Sequence, residues 1–201
     1  MRQQHNRAQV RSKIERNRIY AFSEIRRLTA ALDLPQSIRE RACVLFERAQ
    51  QEDLLRGRSI EGFAAAVVYA NCRADRLSRS RNEILEAARS SAQELKNAYD
   101  ALNRELGLET GPIHPAEYIP RYASKLDAPE AVEHRALELA KFAQSEGLVT
   151  GRNPCGVAGG CLYAAAVELE YSLTQGSIAE VADVSTVTIR GTYQTLQEHP
   201  A

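Results

Sequence analysis

Two side chains near the end of this 201-residue chain are suited to reading another molecule. Val187 and Arg190 stand three residues apart, with Thr186 beside them. A guanidinium matches the paired acceptors on the edge of a guanine, and an apolar side chain such as valine matches a thymine methyl. The surrounding stretch, Thr174 to Tyr193, supplies the scaffold that such residues need. Thr174 is a helix cap followed by Ile178, Val181 and Ala182 on one face. Asp183 and Val184 read as a tight turn, because aspartate tolerates the left-handed conformation. Ser185 caps a second helix with Ile189, Tyr193 and Leu196 on its inner side, which turns Thr186, Val187 and Arg190 outward at its start. Two short helices joined in this way describe a helix-turn-helix, whose second helix offers its first residues to the major groove. The same pair equally fits a hairpin that closes a helical bundle.

Catalytic chemistry has little to stand on. There is no G-x-S-x-G, Walker sequence, H-E-x-x-H or glycine-rich phosphate loop after a strand. Carboxylates fall mostly on helix exteriors beside arginines, the pattern of a solvated, ion-paired face. The four cysteines (Cys43, Cys72, Cys155, Cys161) and four histidines (His5, His114, His134, His199) are scattered, with no C-x-x-C pair. Zinc sites built on short ligand spacings are therefore excluded. Cys43, Cys72 and Cys161 lie in apolar helical runs and read as small core residues of a protein from reducing cytosol. No apolar run reaches the ~18 residues of a membrane span, and the polar, basic start is no secretory signal.

The elements that must position Val187 and Arg190 come from a duplication. A shift of 94 residues superposes the middle of the chain on its end without a gap. Asp33 and Pro35 fall on Asp127 and Pro129, Gly57-Arg58 on Gly151-Arg152, Tyr69-Ala70 on Tyr163-Ala164, and Ile84, Tyr99 and Leu102 on Ile178, Tyr193 and Leu196. The join lies near Gly107 to Pro115. Each copy reads as five helices. In the first, Ile19 to Leu32 carries apolar residues at 19, 22, 25, 28 and 32. Pro35 opens a helix with a stripe of Ile38, Ala42, Leu45, Phe46 and Ala49, and Gly57 is its stop signal. Ser59 caps a third helix, apolar nearly all round from Ile60 to Cys72, which must be central. Its partner in the second copy starts at Asn153-Pro154 and contains Gly156, Gly159 and Gly160, which favour close approach of a neighbouring helix. Ser80…Glu83 and Ser91…Glu94 fit the capping-box pattern and open two further helices. No segment alternates with period two, so the fold class is all-α. The first copy's counterpart of the helix-turn-helix, Glu83 to Tyr99, puts Arg89 at the turn and Ala92-Gln93 at the exposed start, and reads as structural.

Four stretches carry a family resemblance. They are Arg11-Ser-Lys-Ile-Glu-Arg-Asn17, Leu54-Leu-Arg-Gly-Arg-Ser-Ile-Glu-Gly62, Tyr118-Ile-Pro-Arg-Tyr-Ala123 and Val187-Thr-Ile-Arg190. In this order they resemble archaeal transcription factor B, counterpart of the eukaryotic general initiation factor IIB. The resemblance covers about Val10 to His199 and implies a tandem duplication of two five-helix cyclin-like domains, the second ending in a helix-turn-helix. The expected division is a basic linker segment at 1–18, a first repeat at 19–108 and a second at 109–201.

What the resemblance implies is a non-enzymatic role without cofactor. Such factors bind the TATA-binding protein on promoter DNA, contact DNA on both sides of the TATA element and bring in RNA polymerase. The family's upstream-element readers fall on Val187 and Arg190, with Thr186 beside them, and Arg152 stands where a phosphate contact is plausible. Arg56 and Arg58 are the candidates toward the TATA-binding protein, and Arg11, Lys13, Arg16 and Arg18 belong to the linker toward polymerase. A monomer is expected, in the cytoplasm at the nucleoid and away from membranes. The family's zinc ribbon is missing, since no cysteine precedes Cys43, which implies a truncated core or a divergent paralogue. Ala92-Gln93 replaces a basic pair, and Thr192 and Gln194 stand where positive charge is common. Each lost phosphate contact weakens binding, so useful affinity is expected only on DNA bent by the TATA-binding protein. The competing readings are a cyclin-like interaction module, a paralogue that competes with a full-length factor, and an ordinary helix-turn-helix regulator.

Charge sharpens the expectation. The chain holds 26 basic and 26 acidic residues, but residues 1–30 carry eight and two, residues 31–108 twelve of each, and residues 109–201 six and twelve. A basic arm precedes a neutral first copy and an acidic second one. DNA reading by the second copy therefore rests on a few placed residues and not on a basic field.

Overall fold

A computed structural model describes residues 2–108, 110–111 and 113–199, with side chains from Lys13 onward, and contains only helices among them. Helix α1 spans Arg2–Ala31, α2 Gln36–Gln51, α3 Ile60–Ala74, α4 Arg81–Ala87 and α5 Ala92–Leu106. After a 3-10 turn at Pro115–Glu117 follow α6 (Ile119–Lys125), α7 (Glu130–Ser145), α8 (Pro154–Glu168), α9 (Gln175–Ala182) and α10 (Thr186–Glu198). The chain forms two compact units, Met1–Gly111 and Pro112–Ala201.

The 94-residue shift is visible in the backbone. It maps α2 onto α7 and α3 onto α8 residue for residue, and the starts of α4 and α5 onto those of α9 and α10. Left-handed positions repeat as well: Asp33 and Asp127 (φ 47° and 50°), then Gly57 and Gly151 (φ 71° and 73°).

In each unit the apolar helix is central. Every residue of α3 from Gly62 to Cys72 is buried, and α8 is buried from Cys155 to Ala166 except at Tyr163. Local signals fix where helices begin. The Ser59 hydroxyl accepts from the Gly62 N–H, and Asn153 from the Cys155 N–H. Both capping boxes are complete: the Ser80 and Ser91 hydroxyls accept from the Glu83 and Glu94 N–H groups, and each glutamate accepts in return from its serine's N–H. Pro35 occupies the N-cap of α2, one residue outside the helix, where a missing N–H is equally harmless.

Four expectations change. First, α1 does not begin at Ile19 but runs from Arg2, because nothing between them breaks a helix. Second, Ile19 is 61% exposed, while Ala21, Ile25 and Leu28 are buried. A spacing of three drifts around a helix of 3.6 residues per turn, so Ile19 lies about 180° from Leu28. Third, α2 stops at Gln51 with Asp53 left-handed (φ 55°), and Gly57 belongs to the turns that follow. Fourth, Cys155 joins Cys72 and Cys161 in the core, whereas Cys43 is half-buried. Burial pushes the Cys72 and Cys161 thiols up to about 12, which removes them as nucleophiles.

Candidate nucleic-acid interface

The second unit builds its last helix pair on a bed of glycines. A Cβ on Gly156 would meet Thr188 Cγ2 at 2.4 Å, one on Gly159 would meet Ile189 Cδ1 at 2.6 Å, and one on Gly160 would meet Thr192 Cβ at 2.4 Å. The first two turns of α10 thus lie directly on the backbone of α8, and the glycines, each costing about 1 kcal/mol against alanine in a free helix, are what permit it. Ile178 of α9 and Ile189 of α10 are fully buried in the seam.

The turn between α9 and α10 is short and closed at both ends. The Thr174 hydroxyl accepts from the Ser177 N–H at 3.0 Å to start α9. Asp183 ends it in the left-handed conformation (φ 52°, ψ 52°), and its N–H returns to the carbonyls of Ala179 and Glu180. The Ser185 hydroxyl accepts from the Thr188 N–H at 3.2 Å to start α10. With Ile189 and Leu196 buried beneath, Thr186, Val187 and Arg190 are all exposed. The three fall within an arc of about 100° at the start of the helix. Val187 is 72% exposed. Arg190 makes no hydrogen bond or ion pair among the described residues.

Arg152 approaches α10 from the side. Its Nη2 donates to Thr195 Oγ1 at 3.0 Å, and that hydroxyl donates to the Gly191 carbonyl at 2.9 Å. Thr195 was not singled out by sequence reading; its only signal was a hydroxyl where the first copy has Ala101. Gln194 is exposed, but Thr192 is buried at 6%, pressed against Gly160, so it is a packing residue and not a missing phosphate contact. Acidic side chains flank the site: Glu180 and Asp183 are both exposed.

The matching place in the first unit is built for something else. Ala88, extended (ψ 156°), ends α4, and the turn carries no left-handed residue. Arg89 in that turn donates to Glu24 Oε1 at 3.0 Å, and Arg27 donates both to Glu24 Oε2 and to the Ala87 carbonyl. The Glu24 side chain is only 5% exposed, so this is a buried carboxylate that latches the α4–α5 turn to α1. At the positions of Thr186, Val187 and Arg190 stand Ala92, Gln93 and Lys96, and Lys96 is paired with Asp100.

The remaining candidates are dispersed. Arg56 is exposed with no side-chain bond among the described residues, and Arg58 folds back to donate to the Leu54 carbonyl at 2.6 Å. On α1, Lys13 and Arg16 are exposed, Arg18 is paired with Glu15 and Glu47, and the Arg11 side chain lies outside the described residues. Among the described residues no group of His, Cys, Asp or Glu could hold a metal ion, and no helix is long and apolar enough to cross a membrane.

Comparison with known proteins agrees with the two-repeat architecture. The family model for the transcription factor TFIIB repeat matches twice, at residues 14–105 and 108–199. Over 198 residues, 98% of the chain, it is 53% identical to transcription initiation factor IIB 1 of Halobacterium salinarum, of which it covers 69%. It is 44% identical to transcription initiation factor IIB 2 of the same organism, covering 98% of the chain and 61% of that protein. Transcription initiation factor IIB of Methanocaldococcus jannaschii is 43% identical over 99% of the chain, which spans 30% of that protein.

Proposed function

The chain belongs to the transcription factor TFIIB repeat family, and on that footing we propose that it is the core of a transcription initiation factor. It binds the TATA-binding protein seated on promoter DNA, reads the bases upstream of TATA and helps to bring in RNA polymerase. It acts in the cytoplasm, at the nucleoid, as a monomer. The relatives are named transcription factors, and a non-enzymatic role follows from the membership.

One observation carries the DNA-reading part: an outward trio, Thr186, Val187 and Arg190, at the start of a helix seated closely on α8, with the guanidinium unpaired among the described residues. Val187 meets a thymine methyl, Arg190 the O6 and N7 of a guanine, and Arg152 a flanking phosphate. Arg56 and Arg58 face the TATA-binding protein, and the α1 segment with Arg11, Lys13, Arg16 and Arg18 leads toward polymerase. Because residues 109–201 hold six basic and twelve acidic residues, affinity for free DNA is low. A second reading is a paralogue that occupies the promoter complex and competes with a full-length factor.

A gel-shift with a TATA promoter fragment tests the proposal. With the TATA-binding protein present, the chain supershifts the complex, and Arg190→Ala weakens that supershift by about 1–3 kcal/mol. Absence of a supershift at every salt concentration contradicts it. Added to transcription with a full-length factor, the chain stimulates if it recruits polymerase and inhibits if it competes.

A further inference from the structure

The two copies also differ on the surface where their second and third helices meet. In the first unit, α2, α3 and the segment after α5 enclose an open groove of about 330 Å³. Val44, Leu45, Ala74 and Leu108 supply its apolar lining, and Arg41 and Arg48 stand at its rim. Val44 is 64% exposed there. In the second copy the counterparts of Val44 and Ala74 are Glu138 and Glu168. Arg135, counterpart of Arg41, reaches both, with Nη1 at 3.0 Å from Glu138 and Nε at 2.7 Å from Glu168. The second copy thus closes this seam with ion pairs, and the first leaves it open and apolar.

The groove is held in shape. Its third wall is the segment after α5, where Thr110 bonds the Tyr99 hydroxyl at 2.9 Å. Arg73 donates to that same hydroxyl at 2.6 Å and to the Gly111 carbonyl. Arg41 pairs with Asp75, while Arg48 makes no side-chain bond among the described residues. Among the described residues no carboxylate belongs to the lining.

We infer that this groove docks a short segment of a partner protein that presents one or two large apolar side chains flanked by carboxylates. Its volume is at the lower end of the roughly 300–1,000 Å³ of ligand sites, room for side chains more than for a cofactor. An apolar lining gains by covering apolar surface and gains nothing from a sugar-phosphate backbone. At the rim Arg48, unpaired among the described residues, favours acidic flanks by charge. The inference stands apart from the DNA-reading proposal, since none of these residues belongs to α9 or α10.

The probe is a fluorescein-labelled helical peptide with Phe and Leu four residues apart between glutamates, titrated with the full 201-residue chain and read by anisotropy. It binds saturably, and the same peptide with lysines for glutamates binds about tenfold or more weaker. Val44→Glu with Ala74→Glu installs the second copy's ion pairs and weakens binding about tenfold or more. Arg48→Ala, an exposed change that leaves the packing intact, weakens it in the same direction and keeps the test valid if the double variant folds poorly. The inference is overturned if the chain does not bind the glutamate peptide, if both peptides bind alike, if the folded variants bind like the original chain, or if promoter DNA displaces the peptide.

Discussion

The α4–α5 pair and the α9–α10 pair start at positions 94 residues apart, open their second helices on serine caps, and diverge in what holds their turns. In the first, a buried carboxylate, Glu24, ties the turn to α1 through Arg89 and Arg27. In the second, Tyr118 and Asp183 stand in place of Glu24 and Arg89, and three glycines of α8 let α10 sit on its backbone, where α3 has Gly62 alone beneath Glu94 of α5. The latch leaves the outer start of α5 clear, because Ala92, Gln93 and Lys96 are exposed, so the two pairs differ there in the residues they present. Seating the helix from beneath leaves its outer face unused. The two pairs thus differ in how their turns are held and in which residues stand at the exposed start of the second helix.

The sharpest way to break that contrast is Gly160→Leu. The new side chain starts 2.4 Å from where Thr192 Cβ stands, so α10 must lift. A loss of about 3 kcal/mol is expected, because overpacking a close seam costs about 1–3 kcal/mol and occasionally more. Thermal unfolding of the chain reads it, and Ala66→Leu in the first copy is the matched control for adding bulk to the central helix. Next comes Glu24→Ala, which strands Arg27 and Arg89 and frees the α4–α5 turn. A loss of about 2 kcal/mol is expected, with Arg89 contributing little because its side chain is 62% exposed. Denaturant midpoints measure it, and upstream DNA reading is unchanged.

Much of this was legible beforehand, and what was not has a common cause. Caps, boxes and the 94-residue repeat are written in neighbouring residues, and the serine caps and both capping boxes lie where the sequence puts them, whereas the Gly57 stop signal does not. The position of Asp183 in a left-handed turn was readable because so few residues tolerate it. Glu24 was not, because its partner Arg89 is 65 residues away and only packing brings them together. Burial of Thr192 depends on a glycine of another helix, and a threonine gives no sign of that by itself. Ile19 misled because a spacing of three imitates a helical face over two turns and leaves it over three.

Smaller effects sharpen the comparison further. Thr195→Ala gives α10 the alanine that the first copy has at Ala101, and releases Arg152 from its hydrogen bond. A loss of about 1 kcal/mol or less in promoter-complex affinity is expected. Its salt dependence flattens only if Arg152 then misses its phosphate, and Thr195→Ser restores both. The smallest difference is in acid. Hydrogen bonds from the Ser91 backbone and side chain hold the Glu94 carboxyl below the usual glutamate value. A carboxyl lowered on folding stabilises above its unfolded pKa, and that contribution fades as pH falls through the folded value. The α9–α10 pair has Thr188 at this capping position and is spared. Hydrogen exchange read as pH falls below the ordinary glutamate value of about 4.3 therefore shows the start of α5 loosening before that of α10.

The central claim is that the second pair reads DNA and the first does not. Hydroxyl-radical footprinting of the chain with the TATA-binding protein on a promoter fragment tests it through two matched variants, Arg190→Ala and Lys96→Ala, which alter the same position in each copy. The account predicts that protection upstream of TATA disappears with Arg190→Ala and persists with Lys96→Ala. Upstream protection that survives Arg190→Ala, or that is lost with Lys96→Ala, would contradict it.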